Sequence, residues 1–182
     1  MLISEINIMP KQILIISTLD TKGEETFYLK EKIESLGFPA ILMDLSMRAH
    51  VSHPAEITNA QVAEAGGSSI EDIGQSRERS RITKIMTSGA SKLATRYHAE
   101  GTIDGVIAMG GSTGTLMASE VMRSLPFGVP KVVISSTAAL PGLSTRYIGT
   151  GDIVLFHSVI EISGISNLLK NVMDRAAPAI TG

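Results

Sequence analysis

The chain has 182 residues, of which 43% are hydrophobic, and a formal net charge of −2 at pH 7. This length predicts one domain with a sizeable core, and the near-neutral charge gives no electrostatic reason to expect a nucleic acid or an anionic membrane as a partner. There is no cysteine, which excludes disulfides, thiolate metal sites and cysteine nucleophiles and suits a cytoplasmic protein. The first ten residues do not resemble a signal peptide, and no apolar run approaches the roughly 20 residues of a membrane span.

Five short apolar runs alternate along the chain with segments of helical spacing, which predicts alternating strands and helices. The runs are residues 13–16, 41–43, 106–109, 131–134 and 153–156. Between the second and third runs we expect a short helix over residues 60–65 and a long helix over residues 77–99. A loop rich in Gly, Pro, Ser and Thr leads to the fifth run, and the last helix is predicted to end near Pro178 because proline disrupts a helix interior.

Short apolar strands alternating with amphipathic helices indicate an α/β fold: a doubly wound, mainly parallel, Rossmann-like sheet in three αβα layers. In such sheets ligands bind beyond the carboxyl ends of the strands, so the residues that follow the strands are the candidate binding residues along one rim. They are Asp20, Thr21, Lys22 and Gly23 after the first strand, Asp44 at the end of the second, Gly110, Gly111, Ser112, Thr113, Gly114 and Thr115 after the third, and Ser136 and Thr137 after the fourth. The long crossover before the third strand is expected to be a helical excursion that serves as a lid or an association surface.

The glycine turn after the third strand allows two interpretations. A strand, a glycine turn and a helix place backbone N–H groups and the positive end of a helix dipole at one point, which favours a phosphate. Glycines also permit close approach of a ligand to the backbone, and Ser112, Thr113 and Thr115 add hydroxyl donors. The alternative is a tight turn that needs its glycines for backbone geometry alone. An acidic residue at the position of Asp44 is placed where such folds contact a ribose.

Neither the phosphate-binding lysine motif nor the dinucleotide fingerprint of a first βα turn is present. The same glycine turn does satisfy G-x-S-x-G, the nucleophile elbow of α/β-hydrolases, with Ser112 as nucleophile and Asp152 and His157 following in the required order. Against this esterase alternative, Asp152 and His157 flank one strand and should lie at opposite ends of it, whereas a triad requires contact. His50 and His53 offer two metal ligands, but no third ligand completes a site.

Several segments occur in an order that resembles one known family. They are Asp20-Thr-Lys-Gly23, Ala63-Glu-Ala-Gly-Gly67, Gly110-Gly-Ser-Thr-Gly-Thr115, Leu125-Pro-Phe-Gly-Val-Pro-Lys131, Gly149-Thr-Gly-Asp-Ile153 and Ala176-Ala-Pro-Ala-Ile180. Together they look like the N-terminal domain of the Tm-one-like ATP-binding family, over nearly the whole chain. Thr113 stands where the family's glycine loop has its third glycine.

The resemblance implies a Rossmann-like domain that binds ATP with Mg²⁺ and forms a homo-oligomer. Family proteins continue into a second α/β domain, so we expect residues 1–182 to be the N-terminal domain of a longer protein, with that domain or another subunit as a partner. Two roles remain open: a nucleotide-binding regulatory or interaction module, and a half-site for phosphoryl transfer. In either role Asp20 is the expected Mg²⁺ ligand, while Thr21, Lys22 and the glycine loop donate to the phosphates.

Overall fold

The computed structural model describes residues 12–48 and 53–182. Within these residues, five parallel strands form one sheet in the order β2-β1-β3-β4-β5, which confirms the predicted doubly wound α/β fold. The strands are β1 (Ile13–Ser17), β2 (Ala40–Asp44), β3 (Gly105–Gly110), β4 (Lys131–Ser135) and β5 (Val154–His157).

Helices cover both faces of the sheet and complete the three layers. The helices of the described residues are α1 (Leu19–Ser35), α2 (Asn59–Ala65), α3 (Ile70–Gln75), α4 (Arg79–Ala99), α5 (Ser112–Arg123), α6 (Leu143–Ile148) and α7 (Asn167–Thr181). Helices α1 and α7 pack together on one face, and α4 and α5 pack together on the other, with α2 resting on α4. No helix of the described residues is long and apolar enough to cross a membrane.

The three central strands β1, β3 and β4 are mostly apolar because both faces of the sheet are covered there. Every residue of β1, β3 and β4 is buried, and each face has its own hydrophobic core. The register pairs Gly110 with Ser135 and Ser135 with His157, so β3, β4 and β5 end at the same rim. Asp20, Gly111 and Ser136 follow three neighbouring strands at that rim, as the sequence predicts.

The long crossover between β2 and β3 is the expected helical excursion, made of α2, α3 and α4. Thr58 begins α2 with a capping box shared with Gln61. Helices α2 and α4 touch through glycines: a β-carbon on Gly89 would lie 1.9 Å from the Val62 carbonyl oxygen and 2.7 Å from the Gly66 nitrogen. We call this contact the glycine seam. It brings the two backbones closer than any other residue type allows.

Two sequence predictions about the C-terminal third are wrong. The last helix does not end near Pro178 but continues to Thr181, with Pro178 inside it. Burial of Ala177 and Ile180 against the sheet offsets the hydrogen bond that proline removes. The loop before β5 also contains the short helix α6, whose Tyr147 is buried and bonds to Thr137.

Candidate functional site

The β1–α1 turn is fixed by hydrogen bonds to the side chain of Asp44. Asp44 Oδ1 accepts hydrogen bonds from the Leu19 nitrogen at 3.0 Å and the Ser46 nitrogen at 2.8 Å, and the side chain is buried. Burial raises the pKa of Asp44, and these hydrogen bonds oppose that rise. At Lys22 the backbone leaves helical geometry, with φ −133°, so the first turn of α1 is separate from the rest of the helix. Asp44 therefore positions the turn; contact with a ribose stays a prediction.

The β3–α5 turn leaves the amino end of α5 open. Gly111 is the N-cap residue, and within the described residues no side chain accepts a hydrogen bond at this cap. The N–H groups of a helix's first turn lack intrahelical acceptors, and Ser112, Thr113 and Gly114, which carry three of them, line the cleft described below. The Ser112 and Thr113 side chains are exposed. The turn thus presents donors and a positive dipole end without an internal acceptor.

The two glycines of this turn have different roles. A β-carbon on Gly110 would lie 3.2 Å from both Gly114 Cα and Thr115 N, closer than an ordinary contact. At Gly111 a β-carbon would have ordinary contacts only, the nearest at 3.8 Å, and φ is −80°, which any residue adopts. A side chain at Gly110 would therefore crowd the backbone of the turn. A side chain at Gly111 would not, so packing does not explain why none is present there.

The two turns open into one cleft of about 530 Å³ between β1, β3 and the helical excursion. This is the point between β1 and β3 where the strand order reverses, the usual ligand position in a sheet of this order. Seven of the residues predicted from sequence line it: Asp20, Thr21, Lys22, Gly111, Ser112, Thr113 and Gly114. The structure adds Arg48, Ser76 and Arg79, which sequence reasoning missed because they come from loops and a helix end far along the chain.

The other predicted residues lie next to the cleft rather than in its wall. Thr115 is fully buried and donates to Ser135 Oγ at 2.8 Å, and Thr137 bonds to the Tyr147 hydroxyl at 2.7 Å. Gly23 makes room for His53, whose ring also packs on Phe27 with centroids 5.5 Å apart. Contact of Gly23, Gly110, Thr115, Ser136 and Thr137 with a ligand stays a prediction. His50 lies outside the described residues.

Cations outnumber acids in the cleft wall, which carries Lys22, Arg48 and Arg79 against Asp20. Arg48 Nε lies 3.5 Å from Asp20 Oδ2, and Lys22 Nζ donates to the carbonyl of Ile162. Residues 12–48 and 53–182 contain no group of three or more histidine, aspartate or glutamate side chains that could hold a metal ion. The wall is therefore suited to an anion.

The residues of the esterase alternative do not assemble into a triad. Asp152 pairs with Lys131 at 2.8 Å and accepts from the Gly128 nitrogen, which places it at the amino end of β4. His157 is at the carboxyl end of β5, two strands from Gly110, or roughly 9–10 Å at normal strand spacing. Within residues 12–48 and 53–182, neither His157 nor Asp152 is therefore placed to complete a triad with Ser112.

The family model described as "Uncharacterised protein family (UPF0261) N-terminal domain" matches residues 11–182. The chain belongs to this family. A UPF0261 protein of Clostridium tetani is 39% identical over 174 residues, which cover 96% of this chain and 43% of that protein. The ToMV susceptible protein tm-1 of Solanum lycopersicum is 42% identical over 104 residues, 57% of this chain and 14% of that protein. These relatives confirm the family resemblance inferred from the sequence motifs.

The UPF0261 chain spans about two fifths of the length of the bacterial relatives that it matches. One solved structure is a Xanthomonas campestris protein that is provisionally described as a hydrolase of the alpha/beta superfamily. It aligns with 93% of this chain and 95% of its own chain, at 13% sequence identity and a TM-score of 0.45. That likeness is too remote to carry an argument about function.

Proposed function

We propose that this UPF0261 domain binds ATP together with Mg²⁺ in the cleft between the β1–α1 and β3–α5 turns. One observation carries the proposal: both turns, one of them the uncapped amino end of α5, open into the same cationic cleft at the strand-order reversal. The phosphates would accept from the first-turn N–H groups of α5 and from the hydroxyls of Ser112 and Thr113.

Charge supports an anionic ligand. The whole chain has a net charge of −2, yet the cleft wall holds three cationic side chains and one carboxylate. Electrostatic attraction inside a cleft is stronger than on an open surface, because the walls exclude part of the solvent. Arg79, in the first turn of α4, and Arg48 both line this cleft together with the glycine turn. In this assignment both arginines contact the phosphates of the bound nucleotide.

Magnesium fits the donor set because it takes carboxylate and phosphate oxygens and keeps several waters. When bound, it would neutralise part of the phosphate charge. The carboxylate predicted for this role, Asp20, lies in the cleft wall.

We assign binding rather than turnover, since the cleft wall in the described part of the chain holds no histidine and its single carboxylate is paired with Arg48. The domain would then be a nucleotide-dependent module that acts on the remaining chain of a longer protein or on another subunit.

Calorimetry with ATP in the presence and absence of Mg²⁺ tests the proposal. Arg79→Ala should weaken ATP binding by about tenfold or more, because one charge-assisted hydrogen bond contributes about 1.5–3 kcal/mol. Arg175→Ala is the matched control: Arg175 is exposed on α7, across the sheet from the excursion, and its loss should leave the affinity unchanged.

Ser112→Ala separates this proposal from the esterase alternative. One neutral hydrogen bond contributes about 0.5–1.5 kcal/mol, so ATP affinity should fall by about tenfold at most. No binding of ATP by the unsubstituted protein, together with ester turnover that Ser112→Ala abolishes, would refute the proposal.

A further inference from the structure

A third loop brings a carboxylate to the glycine turn. A β-carbon on Gly111 would lie 3.9 Å from Glu161 Oε1 and 3.8 Å from Ser136 Oγ. Glu161 belongs to the segment between β5 and α7, and Ser136 follows β4. Neither is among the residues that line the cleft wall described above. Gly111 therefore lies next to a carboxylate and a hydroxyl oxygen, in addition to the cationic residues of the cleft wall.

The loop that carries Glu161 is anchored on both sides of that residue. Before it, the Ser158 nitrogen donates to the Ser135 carbonyl at 3.1 Å. After it, Ile162 is fully buried and its carbonyl accepts from Lys22, and the Gly164 nitrogen donates to buried Glu25 at 2.6 Å. Glu161 itself is exposed. Its backbone is thus fixed while its side chain remains free to contact a ligand, which is the arrangement of a preorganised binding residue.

The local charges indicate what kind of ligand these oxygens meet. A carboxylate beside a phosphate-binding turn repels the phosphates unless a cation lies between them. Within residues 12–48 and 53–182, Glu161 has no ion-pair partner, whereas Asp20 is paired with Arg48. In the same described residues the Ser136 Oγ atom is buried and has no hydrogen-bond partner. An unpaired carboxylate and an unsatisfied hydroxyl are hard oxygen ligands, of the type that Mg²⁺ selects.

We infer that Glu161, with Ser136 beside it, holds the divalent cation that accompanies the nucleotide phosphates at the amino end of α5. Asp20 then remains a partner of Arg48 and is not the principal metal ligand. This inference rests on the proposed function and specifies the metal side of the same site.

The test compares ATP affinity in Mg²⁺ with ATP affinity in EDTA, by calorimetry, for Glu161→Gln, Asp20→Asn and the unsubstituted protein. Glu161→Gln should lose about tenfold or more of the affinity gained from Mg²⁺, because removal of even a second-shell partner of a metal ligand typically costs about tenfold or more. Its affinity in EDTA should be unchanged or higher, since a repulsive charge is gone. Asp20→Asn should keep the Mg²⁺ gain. Glu120→Gln, an exposed position on α5 away from the turn, is the matched control.

A second readout is independent of calorimetry. Titration of Mn²⁺ by electron paramagnetic resonance, in the presence of ATP, should show weaker metal retention for Glu161→Gln and a smaller loss for Ser136→Ala. Circular dichroism and urea unfolding verify that each variant is folded. If Glu161→Gln is not folded, Glu161→Asp is measured in its place. A Glu161→Gln protein that keeps the full Mg²⁺ gain would overturn the inference alone. Absence of ATP binding by the unsubstituted protein, in Mg²⁺ and in EDTA, would overturn the proposed function and the inference with it.

Discussion

The two glycines of the β3–α5 turn offer the sharpest test of why the turn has its sequence. If glycine serves only the backbone, alanine should harm stability at both positions. The structure instead predicts that Gly110→Ala damages the fold and Gly111→Ala damages ligand binding. Both replacements add one methyl group, so each serves as the control for the other.

The magnitudes follow from the contacts. The added carbon at Gly110 would sit 3.2 Å from backbone atoms of Gly114 and Thr115, so the first turn of α5 must move by a few tenths of an ångström. Overpacking of this kind costs about 1–3 kcal/mol, which for a domain of this size lowers Tm by about 2–4 °C per kcal/mol. At Gly111 the φ of −80° suits alanine, and the smaller freedom of the unfolded chain should raise stability by about 0.4–1 kcal/mol.

Binding should show the opposite order. A methyl group on Gly111 occupies the space through which phosphate oxygens would reach the N–H groups of α5, so ATP affinity should fall by about tenfold, or 1.4 kcal/mol, and further for Gly111→Val. Urea unfolding gives the free energy of unfolding, and calorimetry with Mg-ATP gives the affinity of each folded variant. A Gly111→Ala protein that is destabilised as much as Gly110→Ala, and binds ATP normally, would show that the glycines serve the backbone alone.

Three further predictions concern stability. Asp152→Asn should cost about 1–3 kcal/mol, because it leaves the buried ammonium of Lys131 without its carboxylate. Hydrogen bonds from Lys131 and the Gly128 nitrogen lower the pKa of Asp152 in the folded protein. The stabilisation by this carboxylate is therefore complete above its unfolded-state pKa and is lost as the pH falls through the lowered folded-state pKa. Over this acidic range, the free energies of unfolding of Asp152→Asn and the unsubstituted protein, measured in urea, should converge. Gly89→Ala should cost about 3 kcal/mol or more by breaking the glycine seam, and an unchanged urea midpoint would contradict that geometry. Val159→Asn should raise the free energy of unfolding by about 1 kcal/mol. Val159 is exposed and has φ +68°, a conformation that asparagine tolerates better than valine does. A lower thermal midpoint for Val159→Asn would contradict this prediction.

The sequence was sufficient to predict the sheet and the rim at which its strands end. Parallel strands covered on both faces are apolar without alternation, and the short runs ending before Asp20, Gly110 and Ser136 carry that signal directly. The end of α7 was predicted wrongly, because the disruption by Pro178 is local whereas the burial of Ile180 that offsets it depends on tertiary packing.

The composition of the site was only partly predictable. Turn residues such as Thr21 and Ser112 could be placed because they directly follow strands. Arg48, Arg79 and Glu161 reach the same rim through loops and crossovers, whose paths depend on contacts distant in sequence, such as the hydrogen bond from Lys22 to Ile162. The φ of Gly111 shows that its backbone does not require glycine. The sequence cannot show this, because a glycine residue can adopt either sign of φ.

The glycine seam also determines how the wall of the cleft can move. Because α2 and α4 touch backbone to backbone at Gly66 and Gly89, neither helix can open without breaking the contacts of the other. We therefore expect their amides to exchange with deuterium as one cooperative unit, with a shared opening free energy. Since α4 also supplies Arg79 to the cleft, a ligand that contacts this arginine should slow exchange in α2, a helix outside the cleft wall.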